Sequence, residues 1–293
     1  MKPVFLSVCL ALSSLMLIAT PATAKSSTKQ FSSNQMAKTT IDSLEFKDVM
    51  RGLYAGKMTQ VYVEDEELLK YPHIGLMERS ENGDELLALM HPIISYQNQQ
   101  GETRYLILIE KAPISEGNRL SGAFAESAPA ELFIFKSLVN GQFQLVSRSK
   151  SELSFGGSYG QLGLDMEELK EDIRPLGRNQ MGAVFEVGAA HGGTSFSSWF
   201  GILLSENDYI KTVTIADATG MDPGGDGEMT SPLSYDYSST FEVIEDGSEY
   251  YPIKVYYTGE MPDDNHRQKI RKVKNKAVTY YYHKAKNEYR KSK

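Results

Sequence analysis

The sequence predicts a mainly β protein: antiparallel hairpins forming a β-sandwich or irregular two-sheet domain, with an N-terminal helix and one short mid-chain helix. Three observations predict it. Apolar and polar residues alternate with period two in runs such as HIGLMERS, ELLALMHPIIS, ELFIFKSL, QFQLVSRS, TFEVIE and YPIKVYY. These runs flank Asn82-Gly83, Asn140-Gly141 and Asp246-Gly247, dipeptides suited to tight hairpin turns, and the stretch from Asn98 to Gly101 separates PIISYQ from TRYLILIEK in the same way. No segment between them has the helical length that a parallel βαβ crossover needs. The turn dipeptides recur at no common interval, which sets the two-sheet reading above its alternatives, an irregular β-propeller or a barrel.

Taken in order, residues 1–24 (MKPVFLSVCLALSSLMLIATPATA) carry one basic residue, an apolar run from Val4 to Ile18 and the small-residue pattern Ala22-Thr23-Ala24. This is the layout of a secretory signal peptide cleaved near Ala24, and the run is shorter than the roughly 20 apolar residues of a membrane-spanning helix. The expectation is a bacterial export product, periplasmic or secreted, with no integral membrane span after cleavage. The single cysteine, Cys9, lies inside the apolar run, so the mature chain holds no disulfide, thiolate nucleophile or Cys-ligated zinc.

Residues 25–40 (KSSTKQFSSNQMAKTT) read as a flexible linker, too polar to bury a core. Residues 41–160 read as a helix followed by a β-hairpin half, and residues 161–293 as a C-terminal β half with a basic, tyrosine-rich end. The first helix is expected in IDSLEFKDVMRGLYAG: Asp42 caps it, Glu45 stands three residues on, Ile41 staples to Phe46, one face carries Phe46, Val49, Met50, Leu53 and Tyr54, and Gly56 ends it. The second is expected in DMEELKEDI, capped by Asp165 and stopped by Pro175, with Leu164 packed on Leu169.

Four constellations bear on function. In FGGSYGQLGLD, Gly156, Ser158 and Gly160 have GxSxG spacing, and a serine hydrolase with Ser158 as nucleophile, His191 as base and Asp217 as orienting acid is the competing enzyme reading. The context opposes it: the residues before Ser158 are polar, and the helix expected directly after the serine begins only at Asp165. The loop GAAHGGTSFSSWFG joins two strands and offers His191, Thr194, Ser195 and Trp199 as ligand contacts on a backbone that can approach closely. Asp217, Asp222, Asp226 and Glu228 lie among glycines and supply the hard oxygens that Ca2+ prefers, although their spacing is not that of an EF-hand.

The fourth is the tail. From Asn265 to Lys293 the chain holds eleven basic residues and one acid, while the body before it is acidic by about eighteen charges. Arg267, Lys269, Arg271, Lys272, Lys274 and Lys276, with Tyr280 and Tyr282, are the expected polyanion-binding set. The alternative is a final strand whose lysines neutralise the body. No P-loop or dinucleotide fingerprint is present, the five histidines form no zinc motif, and no cofactor beyond Ca2+ is suggested. The reading is therefore a binding or interaction protein of the cell envelope, its partner an envelope protein, a glycan or an anionic surface rather than nucleic acid. Its alternatives are the hydrolase, a structural envelope component and a calcium-binding β protein.

Overall fold

Two antiparallel sheets follow one another along the chain. The computed structural model describes residues 31–115, 117–122, 126–224, 231–263 and 269–292, and Phe31–Lys293 form one compact unit. The first sheet is made of β1 (Thr40–Ile41), β2 (Met58–Thr59), β3 (His73–Arg79), β4 (Glu85–Met90), β5 (Ile94–Gln97), β6 (Thr103–Ile114), β7 (Ala130–Ser137) and β8 (Phe143–Arg148). Its order is β1-β8-β7-β6-β4-β3-β2, and β5 shares with β4 the same edge of the long β6. The second is an unbroken meander of β9 (Arg174–Gly177), β10 (Gln180–His191), β11 (Thr194–Leu204), β12 (Lys211–Asp222), β13 (Tyr235–Val243), β14 (Ile253–Pro262), β15 (Ile270–His283) and β16 (Glu288–Lys291).

The hairpin turns lie where the dipeptides predict them. Gly83, Gly101, Gly141 and Gly247 all have positive φ, the backbone state such turns require. α3 (Met166–Asp172) also lies where its cap predicts it: the Asp165 carboxylate accepts from the N–H groups of Glu167 and Glu168, and Leu164 and Leu169 are buried in one cluster. α1 (Ser33–Met36) is a single turn within the stretch read as linker.

The first expected helix forms later than its cap predicts. α2 (Phe46–Tyr54) is preceded by Glu45, not Asp42, because Thr40 and Ile41 are taken up as β1 against Gln144 and Phe143. Asp42 instead accepts a hydrogen bond from the Gln142 amide, 2.8 Å away. Ile41 reaches the helix at Gly52, whose missing side chain leaves room for the isoleucine. The expected apolar face is otherwise present, with Val49, Met50 and Tyr54 buried.

β6 and β7 are covered on both faces. Ile107, Ile109, Phe133 and Phe135 face α2, while Leu106, Leu108, Leu132 and Ile134 meet Ala183, Phe185, Ile202 and Leu204 of the second sheet. A polar network crosses the first of these layers. The Glu131 carboxylate accepts from the Tyr54 hydroxyl at 2.6 Å and from Arg148 at 3.0 Å, and Lys111 lies 3.4 Å away. Lys111 is only 4% exposed, yet its ammonium also reaches Glu78 and, at 2.6 Å, Glu152. Burial first, and then Glu131, push the Tyr54 phenol far above the ordinary tyrosine range.

Removing the ammonium leaves Glu78, Glu131 and Glu152 facing one another with only Arg148, on Glu131, as a remaining counter-charge; Glu78 and Glu152 are half exposed and so partly relieved by water. Lys111→Met is therefore expected to lower unfolding stability by about 3 kcal/mol, read from denaturant midpoints; an unchanged midpoint contradicts this account of the network.

Candidate groove at the mouth of the curled sheet

The second sheet curls because its strands are not paired along their whole length. β12 pairs with β11 from end to end, but with β13 only where Gly220–Asp222 face Tyr235–Tyr237. Beyond that point the two strands diverge, and β13 continues on β14 alone. At the far edge β16 comes round to β12, where the Asn287 amide donates to the Thr212 carbonyl at 3.1 Å. The interior of the curl is filled with Leu176, Val184, Leu203, Val213, Ile215, Ile253 and Val255.

Near the divergence the interior stays open. Asp217, Tyr235, Tyr237, Met261, Pro262, Asp263 and Lys291 line a depression of about 530 Å³. The β11–β12 pairing shifts register at Phe196/Ser198 and again at Trp199/Phe200, and such bulges re-aim side chains. Asp217 is exposed between two buried alanines, Ala216 and Ala218. Among the described residues its carboxylate accepts no hydrogen bond.

Tyrosines form the floor. The Tyr235 and Tyr237 rings stack with centroids 6.2 Å apart, and Tyr237 stands the same distance from Tyr257. Tyr257 and Tyr280 share a hydroxyl–hydroxyl hydrogen bond of 2.8 Å. Tyr237 can lie across β12 because residue 220 is glycine: a Cβ there would come within 2.6 Å of the tyrosine ring. Burial, then the nearby Asp217, push the Tyr237 phenol up to about 12. Burial, then the bond to Tyr280, hold Tyr257 higher still. Tyr235 is raised by burial and by Asp222 and Asp217. Tyr235, Tyr237 and Tyr257 therefore remain neutral donors at physiological pH.

The residues singled out in the sequence are distributed differently. Ser158 sits in a tight turn whose carbonyl accepts from Gln161, and Gly160 is required there because a side chain would strike the Ser121 carbonyl. His191 is exposed at the end of β10, and Asp217 lies in the groove. Among the described residues, no hydrogen bond links Ser158, His191 and Asp217. The expected long loop around His191 is a two-residue turn, Gly192-Gly193, with His191 paired to Thr194 and Ala190 to Ser195. Small and hydroxyl residues give those strand ends the composition of a loop, but the end of β10 pairs with β11, and β11 pairs with β12 as well. Trp199, which stands across from Ala216, packs on Phe241 and donates to Ser239 at 3.0 Å.

Of the acidic set, Asp222 accepts from the Gly224 N–H, while Asp226 and Glu228 lie outside the described residues. Among the described residues, no three His, Cys, Asp or Glu side chains come together as a metal site would require.

Of the basic set, Arg267 lies outside the described residues. Arg271 pairs with Asp263 at 3.4 Å, Lys272 stands across from Glu260, Lys276 stands across from Tyr257, and Lys269 and Lys274 are exposed. Tyr280 and Tyr282 turn inward, with Tyr282 packed on Tyr250 and Tyr289. The tail's charges are thus divided between pairings and two faces of β15. The groove residues Tyr235, Tyr237, Met261 and Lys291 went unread in the sequence, and the i, i+2 tyrosine pair in SYDYSS is the one local signal for them.

Comparison with known proteins adds no analogy: no protein-family model, curated protein or solved structure matches the chain. The class defined by the fold is an all-antiparallel two-sheet β protein with a curled second sheet. Among its described residues no helix is long and apolar enough to cross a membrane.

The raised tyrosines make stability depend on alkaline pH. Because the folded pKa of Tyr237 lies above the ordinary value near 10, its neutral form contributes stability that is complete below about 10 and is lost as pH rises through about 12. The melting temperature is expected to fall over that interval, with the buried tyrosines ionising in the same step as unfolding. Ionisation of every tyrosine near pH 10 with circular dichroism unchanged contradicts the buried network.

Proposed function

We propose that this is an exported binding protein of the bacterial cell envelope, and that the mouth of the curled sheet is its ligand site. One observation carries the reading: β12 and β13 part to leave a depression of about 530 Å³ lined by aromatic rings and converging polar groups. That size and that mixture of apolar walls with a few placed hydrogen-bonding groups are those of a small-molecule site. All the lining residues but Asp263 come from four strands of one hydrogen-bonded sheet, so the site is held in shape before any ligand arrives. Export is supported by the signal-like layout of residues 1–24, and a function outside the cytoplasm suits a mature chain without cysteine.

Two outcomes are expected. The protein recovered from its host has an N-terminus at Lys25 by intact mass; retention of residues 1–24 refutes export by cleavage. In a thermal-shift screen of small molecules, a ligand at about a hundred times its Kd raises the melting temperature of the wild type by roughly 5–10 °C. Tyr237→Ala loses that shift. A ligand that stabilises both proteins equally places the site elsewhere.

A further inference from the structure

Given the groove as the ligand site, on which this step rests, we infer that its ligand is an uncharged saccharide. The lining carries charges of both signs. Asp217 and Lys291 both line the groove, and the lining residue Asp263 forms an ion pair with Arg271 at 3.4 Å. A cationic ligand drawn to Asp217 meets Lys291, and an anionic one drawn to Lys291 meets Asp217 and Asp263. A hydrocarbon ligand strips water from the Asp217 carboxylate, which accepts no hydrogen bond among the described residues, and offers nothing in its place, which is costly. A neutral ligand rich in hydroxyls has no such conflict, because each hydroxyl both donates to a carboxylate and accepts from an ammonium or phenol.

The aromatic floor points the same way. Tyr235 and Tyr237 alternate on one strand and stack with an interplanar angle of 28°, so the pair offers the groove an outer aromatic face as its platform. A pyranose ring presents a face of C–H groups that lies on such a platform while its hydroxyls project sideways. Asp217 and Lys291 stand in the same lining as acceptor and donor, and the raised tyrosine hydroxyls stay protonated to take part. Gly220 sets the platform's position, since the Tyr237 ring occupies the space a side chain would fill.

The test is a titration of the exported protein with cello-, chito- and malto-oligosaccharides. Binding is read by calorimetry and by the emission of Trp199, the sole tryptophan. Choline and laurate serve as cationic and anionic-amphiphile probes. The expected result is saturable binding of at least one oligosaccharide, weakened about tenfold or more by Tyr237→Ala. Gly220→Ala should weaken it as well with an unchanged melting temperature, because the added methyl displaces only the outer end of the Tyr237 side chain. Binding of choline or laurate that depends on Tyr237, with no oligosaccharide bound, overturns the saccharide and leaves the groove standing. Failure of all three probe classes, or oligosaccharide binding indifferent to both variants, overturns the saccharide and the groove together.

Discussion

The apolar layer between the two sheets is the contact on which the rest of the structure depends. Leu106, Leu108, Leu132 and Ile134 on one side, with Ala183, Phe185, Ile202 and Leu204 on the other, are all at most 6% exposed. At roughly 25 cal/mol per Å² of apolar surface, such a layer is a leading source of stability for a chain whose single cysteine, Cys9, allows no internal disulfide. It also constrains both partners. With one face of β6 and β7 committed to the second sheet, α2 must cover the other, and the Glu131–Lys111–Tyr54 network ties that helix down. With one face of β10 and β11 committed to the first sheet, only their opposite face is left to line an interior. The remaining strands curl to enclose it.

The curl then accounts for the groove. A meander that bends back on itself cannot keep every strand pair in register, and the strain is taken up by bulges in the β11–β12 and β14–β15 pairings and by the early parting of β12 from β13. Aliphatic side chains fill the tightly curved part of the interior. Larger and more polar ones line the part that stays open, where Tyr237, Asp217 and Lys291 meet water. The candidate site therefore follows from the packing: the same curvature that buries Val213 and Val255 leaves Asp217 exposed.

What could be read in the sequence was what local chemistry determines. Asn-Gly and Asp-Gly placed the hairpins, and Asp165 placed α3, since a turn or a cap is decided within a few residues. The start of α2 was displaced because Ile41 found a strand partner about a hundred residues away, which no local cap reveals. The His191 segment read as a loop because glycine, alanine and serine carry little strand signal, yet pairing with β11, itself backed by β12, holds it in the sheet. The groove was the least legible feature. Asp217, Tyr237, Met261 and Lys291 come from four strands, and their meeting depends on the curl, so no spacing along the chain encodes it. Tyr280 and Tyr282, two residues apart, share one side of β15 by their spacing, but that this side faces the interior is decided by the curl.

Amide hydrogen exchange, resolved by peptide, tests the central claim that the inter-sheet layer makes both sheets one cooperative unit. The amides of β6, β7, β10 and β11 are predicted to be the slowest in the molecule and to exchange with a common opening free energy, as expected of strands that open only on global unfolding. A first sheet that exchanges with an opening free energy clearly different from that of β10 and β11 would show that the sheets unfold separately, and would contradict the account.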